Sequence, residues 1–188
     1  MCGANAQCGL PNCVGPCTTG NASTQCQSGL CSSSAERCIP YAGCASDVDC
    51  ISGEYCDGTT FTCAVKLAAG HVIPSDGIHD GNCSADTAAI CQSGACNAVT
   101  DSCALPNGGN CSGPTDCASN ACSEDGKCGR VDGSGLCVPA HPEVCRSATC
   151  SATSLVCIPD GGCGNDNDCQ SDAYCARDTH QCASRVPN

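Results

Sequence analysis

Cysteine is the residue whose number and spacing could do chemistry in this chain: 27 of 188 residues, at intervals that repeat. Residues 38–56, CIPYAGCASDVDCISGEYC, return at 157–175 as CIPDGGCGNDNDCQSDAYC with the same three gaps of five. Thiolates that bind metal or exchange electrons usually come as closely spaced pairs, typified by C-x-x-C. Here no two cysteines lie closer than Cys13 and Cys17. That excludes thioredoxin-type redox sites, zinc knuckles, c-type haem attachment and metallothionein clusters, and argues against iron–sulfur ligation. What remains is covalent stapling.

Other reactive side chains form no constellation. His71, His79, His141 and His180 fall in different gaps without ligand spacing, and G-x-S-x-G, H-E-x-x-H, phosphate-binding and dinucleotide motifs are missing. The sequence therefore predicts no enzyme and no catalytic residue. Calcium is the one cofactor left open. N-x-S sequons stand at Asn21, Asn82 and Asn110.

Little else could hold these residues in place. The chain has one Phe, one Met, no Trp and a net charge of −12, a composition that would leave it disordered without cross-links. A bridge closing a loop of a dozen residues contributes about 3 kcal/mol, so disulfides replace the missing core. Bridges at this density need an oxidising compartment, which predicts an extracellular or cell-surface location. No run of 18 apolar residues predicts a membrane span. No basic and apolar leader follows Met1, so an exported form is expected to be trimmed. Nineteen acidic against seven basic residues argue against nucleic acid as partner.

Aligned by their gaps, the cysteines define three eight-cysteine units. Unit 1 (17–63) uses Cys17, Cys26, Cys31, Cys38, Cys44, Cys50, Cys56 and Cys63; unit 2 (83–128) uses Cys83, Cys91, Cys96, Cys103, Cys111, Cys117, Cys122 and Cys128. Unit 3 (137–182) uses Cys137, Cys145, Cys150, Cys157, Cys163, Cys169, Cys175 and Cys182. Each splits into two four-cysteine halves, since Ser28, Ser52, Ser93, Ser119, Ser147 and Ser171 all stand two places after a half's second cysteine. Turn formation explains these serines, and also Asp49, Asp116 and Asp168, which precede second cysteines. Residues 1–16 hold Cys2, Cys8 and Cys13; residues 64–82 form an aliphatic spacer, 129–136 a connector and 183–188 a tail.

The expected fold is a set of small disulfide-rich repeats, mostly loop with short β-hairpins and no sizeable hydrophobic core. Strands are expected around Glu54-Tyr55-Cys56 and Ala173-Tyr174-Cys175, with a helical turn near Asp86 to Cys91. Four cysteines allow three pairings; first-to-third and second-to-fourth is the expectation, as in Cys44 with Cys56 and Cys50 with Cys63. Val65, Leu67, Val72 and Ile73 are out of place in a linker, so they predict an assembly contact, with packing on the chain's own units as the alternative.

Halves such as CQSGLCSSSAERC (26–38) and DCASNACSEDGKC (116–128) resemble the cysteine-rich repeats of secreted surface proteins of myxobacteria and related bacteria. The resemblance runs from 17 to 182 and implies a surface or extracellular structural role without catalytic residues. CASDVDCISGEYC is similar to the start of the Dickkopf cysteine-rich domain but lacks its adjacent cysteine pairs. SDGIHDGNC, residues 75–83, is similar to the D-x-D-G-x-x-D repeats of thrombospondin type 3 without the preceding aspartates, a resemblance that implies Asp76, Asp80 and Asn82 as oxygen donors to calcium.

Twenty-seven is odd, so Cys2, Cys8 and Cys13 include one cysteine left for a free thiol, a modification or a bond between chains. Repetition without a site predicts an extracellular structural protein that self-associates, the homopolymeric subunit of a filament or coat. A secreted adhesin or ligand-binding module on a disulfide frame is the alternative.

Overall fold

In the computed structural model, which describes residues 9–133 and 135–185, the frame is set by twelve disulfides. Every half pairs its first cysteine with its third and its second with its fourth. In unit 1 these are Cys17 with Cys31, Cys26 with Cys38, Cys44 with Cys56 and Cys50 with Cys63. Unit 2 pairs Cys83 with Cys96, Cys91 with Cys103, Cys111 with Cys122 and Cys117 with Cys128. Unit 3 pairs Cys137 with Cys150, Cys145 with Cys157, Cys163 with Cys175 and Cys169 with Cys182.

Local structure follows the same rule. One helical turn runs into each second cysteine: α1 (Ala22–Gln25) and 3-10 turns at Asp47–Asp49, Thr87–Ile90, Pro114–Asp116, Pro142–Val144 and Asp166–Asp168. The third and fourth cysteines face each other across an antiparallel ladder. It forms the hairpins β1 (Cys31–Ser32) with β2 (Arg37–Cys38), β3 (Glu54–Asp57) with β4 (Thr62–Val65), β5 (Cys96–Asn97) with β6 (Ser102–Cys103), and β7 (Ala173–Ala176) with β8 (Gln181–Ser184). In the other two halves it shrinks to a single bridge, Cys122 with Cys128 and Cys150 with Cys157. Two-residue strands persist here because the disulfides hold the chains together where side-chain burial cannot.

The interior is largely sulfur. Besides Ile73, Ile90 and Asn97, the largest fully buried side chains are cysteines. The largest apolar cluster gathers Tyr55, Ile73, Ile90, Cys91, Cys96 and Cys103, with Leu67 and Ala64 packed against it. Smaller clusters centre on Cys17, Cys26 and Cys38 and on Cys137, Cys145 and Cys157.

Within each unit, the residue after the third cysteine ties one half to the next. Ser32 Oγ donates to Asp49 (3.0 Å) and Ser151 Oγ to Asp168 (2.8 Å), while Asn97, wholly buried, donates from Nδ2 to the Cys117 carbonyl (2.7 Å). A buried amide needs such partners, so these joints fix the order of the halves as well as their contact.

Candidate assembly surface

Backbone contacts repeat where side chains do not. In four of the six halves, the segment entering the half lays one residue alongside the second cysteine as a parallel bridge: Leu10 by Cys26, Leu67 by Cys91, Leu105 by Cys117 and Arg130 by Cys145. Leu105, for example, donates its N–H to Asp116 O (2.7 Å) and accepts from Ala118 N–H (2.9 Å), straddling Cys117. Three residues later the same segment donates to the carbonyl of the fourth cysteine: Gly70 to Cys103, Gly108 to Cys128 and Gly133 to Cys157, at 2.6–2.8 Å. We call this element the clip.

The glycines at that third step have φ of 85–88°, a conformation that suits glycine. In the first clip the position is Cys13, at φ 67°, which donates to Cys38 O (2.6 Å). Cys13 is the one cysteine without a disulfide partner among the described residues. Burial pushes its thiol up against a smaller opposing pull from Arg37. Cys2 and Cys8 lie outside the described residues.

The halves 44–63 and 163–182 have no clip. Their entering segments are short, five residues from the preceding cysteine, and go directly to the first cysteine: Cys44 N–H donates to Phe61 O and Cys163 N–H to His180 O. Among the described residues, the groups flanking the second cysteine, Asp49 C=O with Ile51 N–H and Asp168 C=O with Gln170 N–H, have no backbone partner. The second cysteine is buried in all four clipped halves and half-exposed in these two. Beside the first open site, Val48 and Ile51 are 76% and 73% exposed.

The spacer divides. Its first part is a clip: Leu67 bridges Cys91 and Ile73 N–H donates to Asp101 O (2.9 Å), where other clipped halves place their first cysteine, such as Cys111 on Gly126. Ile73 is 2% exposed and Leu67 packs on the same cluster. The expected four-residue assembly contact is corrected to that extent, because these two side chains are used in the chain's own interior. Val65 and Val72 remain exposed.

The second part of the spacer is a loop that leaves after Ile73, reaches back to unit 1 and returns at Cys83. Its anchor is His79, whose side chain is 4% exposed. Nδ1 lies 3.1 Å from Asp76 and Nε2 lies 3.3 Å from Asp47, and the ring sits edge-on to Tyr55. Both ring nitrogens face carboxylates, so neither is available to activate a nucleophile. Asp76 is also bound by the N–H groups of Gly58, Ile78 and His79. Burial pushes its carboxyl up, but those bonds outweigh it and hold the group below the ordinary carboxylate range.

These contacts bear on calcium. Asp76 is turned inward to N–H donors, whereas Asp80 caps its own turn by accepting from Asn82 N–H (2.9 Å). Asp76 is thus engaged by N–H donors and His79, and Asp80 by the turn it caps. Among the described residues five groups of cysteine sulfurs come close enough to hold a metal, and all their members are in disulfides.

The recurrent serines are not one device. Ser28, Ser93 and Ser147 bond their own turns or nearby carbonyls, but Ser119 Oγ is buried without a partner. The aspartates before the second cysteine do act alike. Asp49, Asp116 and Asp168 each accept two backbone N–H groups from the start of their turn. Among the described residues no helix is long and apolar enough to cross a membrane.

No protein-family model, curated protein or solved structure matches the chain. The dense disulfide pattern is of the kind found in extracellular stapled modules and needs an oxidising environment.

Proposed function

We propose that the chain is an extracellular structural protein, the repeating subunit of a disulfide-stabilised surface filament or coat, without catalytic role or resident cofactor. The observation that carries this reading is the clip: at three of the five junctions between halves the entering segment makes the same backbone bonds whatever side chains stand there. An array whose elements contact only their neighbours can be extended by further copies without a new kind of contact. Open clip positions beside exposed Val48 and Ile51, together with Val65 and Val72, supply surface for it.

The test is sedimentation velocity and negative-stain microscopy of the fully oxidised chain over a wide concentration range. Filaments or sheets that grow with concentration are expected. A chain that stays monomeric throughout would overturn the reading.

One observation favours a secreted binding module instead. A groove of about 350 Å³ between units 2 and 3 is lined by Leu136, Val138, Val144, Arg130 and Ser119, whose hydroxyl lacks a partner. That reading expects a monomer, and a small amphipathic ligand that perturbs Ser119 and Val138 in NMR spectra.

A further inference from the structure

The sequence at 186–188 repeats the opening of a clip. Leu-Pro-Asn opens the clips at 10–12 and 105–107, and Val-Pro-Asn stands at 186–188. Its spacing is that of a clip leaving a half of the same type. Leu67 follows Cys63 by four positions and Val186 follows Cys182 by four. The residues just before them make matching bonds, Lys66 N–H to Gly53 O (3.0 Å) and Arg185 N–H to Asp172 O (2.8 Å). In the first case the next residue, Leu67, goes on to bridge the second cysteine of another half.

We infer that Val186-Pro187-Asn188 of one copy is a clip for the open site beside Cys50 of a second copy. Val186 would stand alongside Cys50, donating its N–H to Asp49 C=O and accepting from Ile51 N–H, the two bonds that Leu105 makes around Cys117. This is strand addition at an unpaired edge, with four internal examples in the same chain. Of the two open sites, the aliphatic pair Val48 and Ile51 matches a valine, whereas the other presents Asn167 and Gln170. Arg185 adds charge complementarity, because Asp47, Asp49 and Glu54 are half-exposed around the site.

Donor and acceptor lie on different halves, so the contact is head-to-tail and can add copy to copy. The inference rests on the self-assembly reading and names the surface through which it works.

Two substitutions test it in the full oxidised chain. Ile51→Pro removes the acceptor site's N–H donor at a position preceded by extended backbone, which tolerates proline. Val186→Asp charges the donor at a position four places beyond the last cysteine, Cys182, so it keeps the test valid if the proline disturbs folding. Each is expected to raise the concentration needed for assembly roughly tenfold or more, the scale of losing one or two hydrogen bonds and a buried aliphatic contact. In a parallel arm, the peptide Ala-Ser-Arg-Val-Pro-Asn is titrated into the isotope-labelled chain, where a selective shift of the Ile51 amide is expected and none with Asp in place of Val.

Assembly unchanged in both variants would overturn this contact and leave the filament reading standing. Shifts at Gln170 without Ile51, or no shift, would also overturn it. A monomeric wild-type chain whose Ile51 amide still answers the peptide would remove the filament reading and keep the site.

Discussion

The halves 44–63 and 163–182 are near twins that differ in what a single carboxylate holds. Each has the same two staples, a 3-10 turn of three residues and a four-residue hairpin. Asp47 and Asp166 occupy the same place and accept from the backbone N–H of the third cysteine, at 2.9 and 3.0 Å. Beyond that bond they part. Asp47 faces His79, buried and held from its other side by Asp76, whereas Asp166 faces Arg185, more than half exposed. The cysteine frame thus fixes the position of a side chain, and the segment that follows decides its use.

The largest expected effect is one that should not distinguish the twins. Replacing Cys44 and Cys56 by serine, or Cys163 and Cys175, opens a loop of the same sequence separation, 12 in each case. Each loss is expected to cost about 3 kcal/mol in the chain-entropy account of disulfides. Denaturant unfolding of the two double variants measures it. A difference above about 1 kcal/mol would show that neighbours, rather than the frame, stabilise one of the halves.

The second effect should separate them. His79→Ala leaves Asp76 buried with only its backbone donors and removes the loop's contact with Asp47 of unit 1, at an expected cost of about 2–3 kcal/mol. Arg185→Ala removes an exposed ion pair and is expected to cost about 0.5 kcal/mol or less. Proteolysis within residues 74–82 should accelerate only in the first variant. Equal costs would mean that the His79 contact is ornamental and the twins are alike in energy as well as frame.

The hairpins and the coreless, loop-rich fold were legible because cysteine spacing states them directly: equal gaps make equal loops, and Gly, Asn and Asp mark the turns between. The pairing expected, first with third and second with fourth, is the one observed, although spacing by itself admits three arrangements. The clips were hidden. Their bonds are made by the backbone, and the residue that makes them is leucine three times and arginine once, so no side-chain pattern covers all four. Leu-Pro-Asn at 10–12 and 105–107, and a glycine three places after Leu67, Leu105 and Arg130, were the available signals. The aliphatic spacer drew attention for the right residues but divided between interior and surface, because Ile73 replaces a cysteine in the backbone pattern. His79 could not be placed from sequence, as its partners are 3 and 32 positions away and meet it only when the loop folds back.

The smallest expected effect concerns acid. In half 163–182, burial pushes the Asp168 carboxyl up, but bonds from Thr153, Gly164, Ser151 and Asn165 outweigh this and hold it below the ordinary range. Asp76, beside half 44–63, is held down likewise. A carboxyl whose folded value is depressed stabilises the fold above its unfolded value, near 4, and loses that contribution as pH falls through the folded value. Protection of the Gly164 and Asn165 amides, which donate to Asp168, and of the Gly58 amide, which donates to Asp76, should therefore fall together below about pH 4. The staples should keep the hairpins intact, so the change is local and visible in amide exchange rather than in global unfolding. Asp168→Asn sharpens the contrast: it should abolish the acid response of Gly164 and Asn165 and leave that of Gly58 unchanged. If Gly58 lost its response too, the two ends of the chain would be coupled, and the independence of the halves would be wrong.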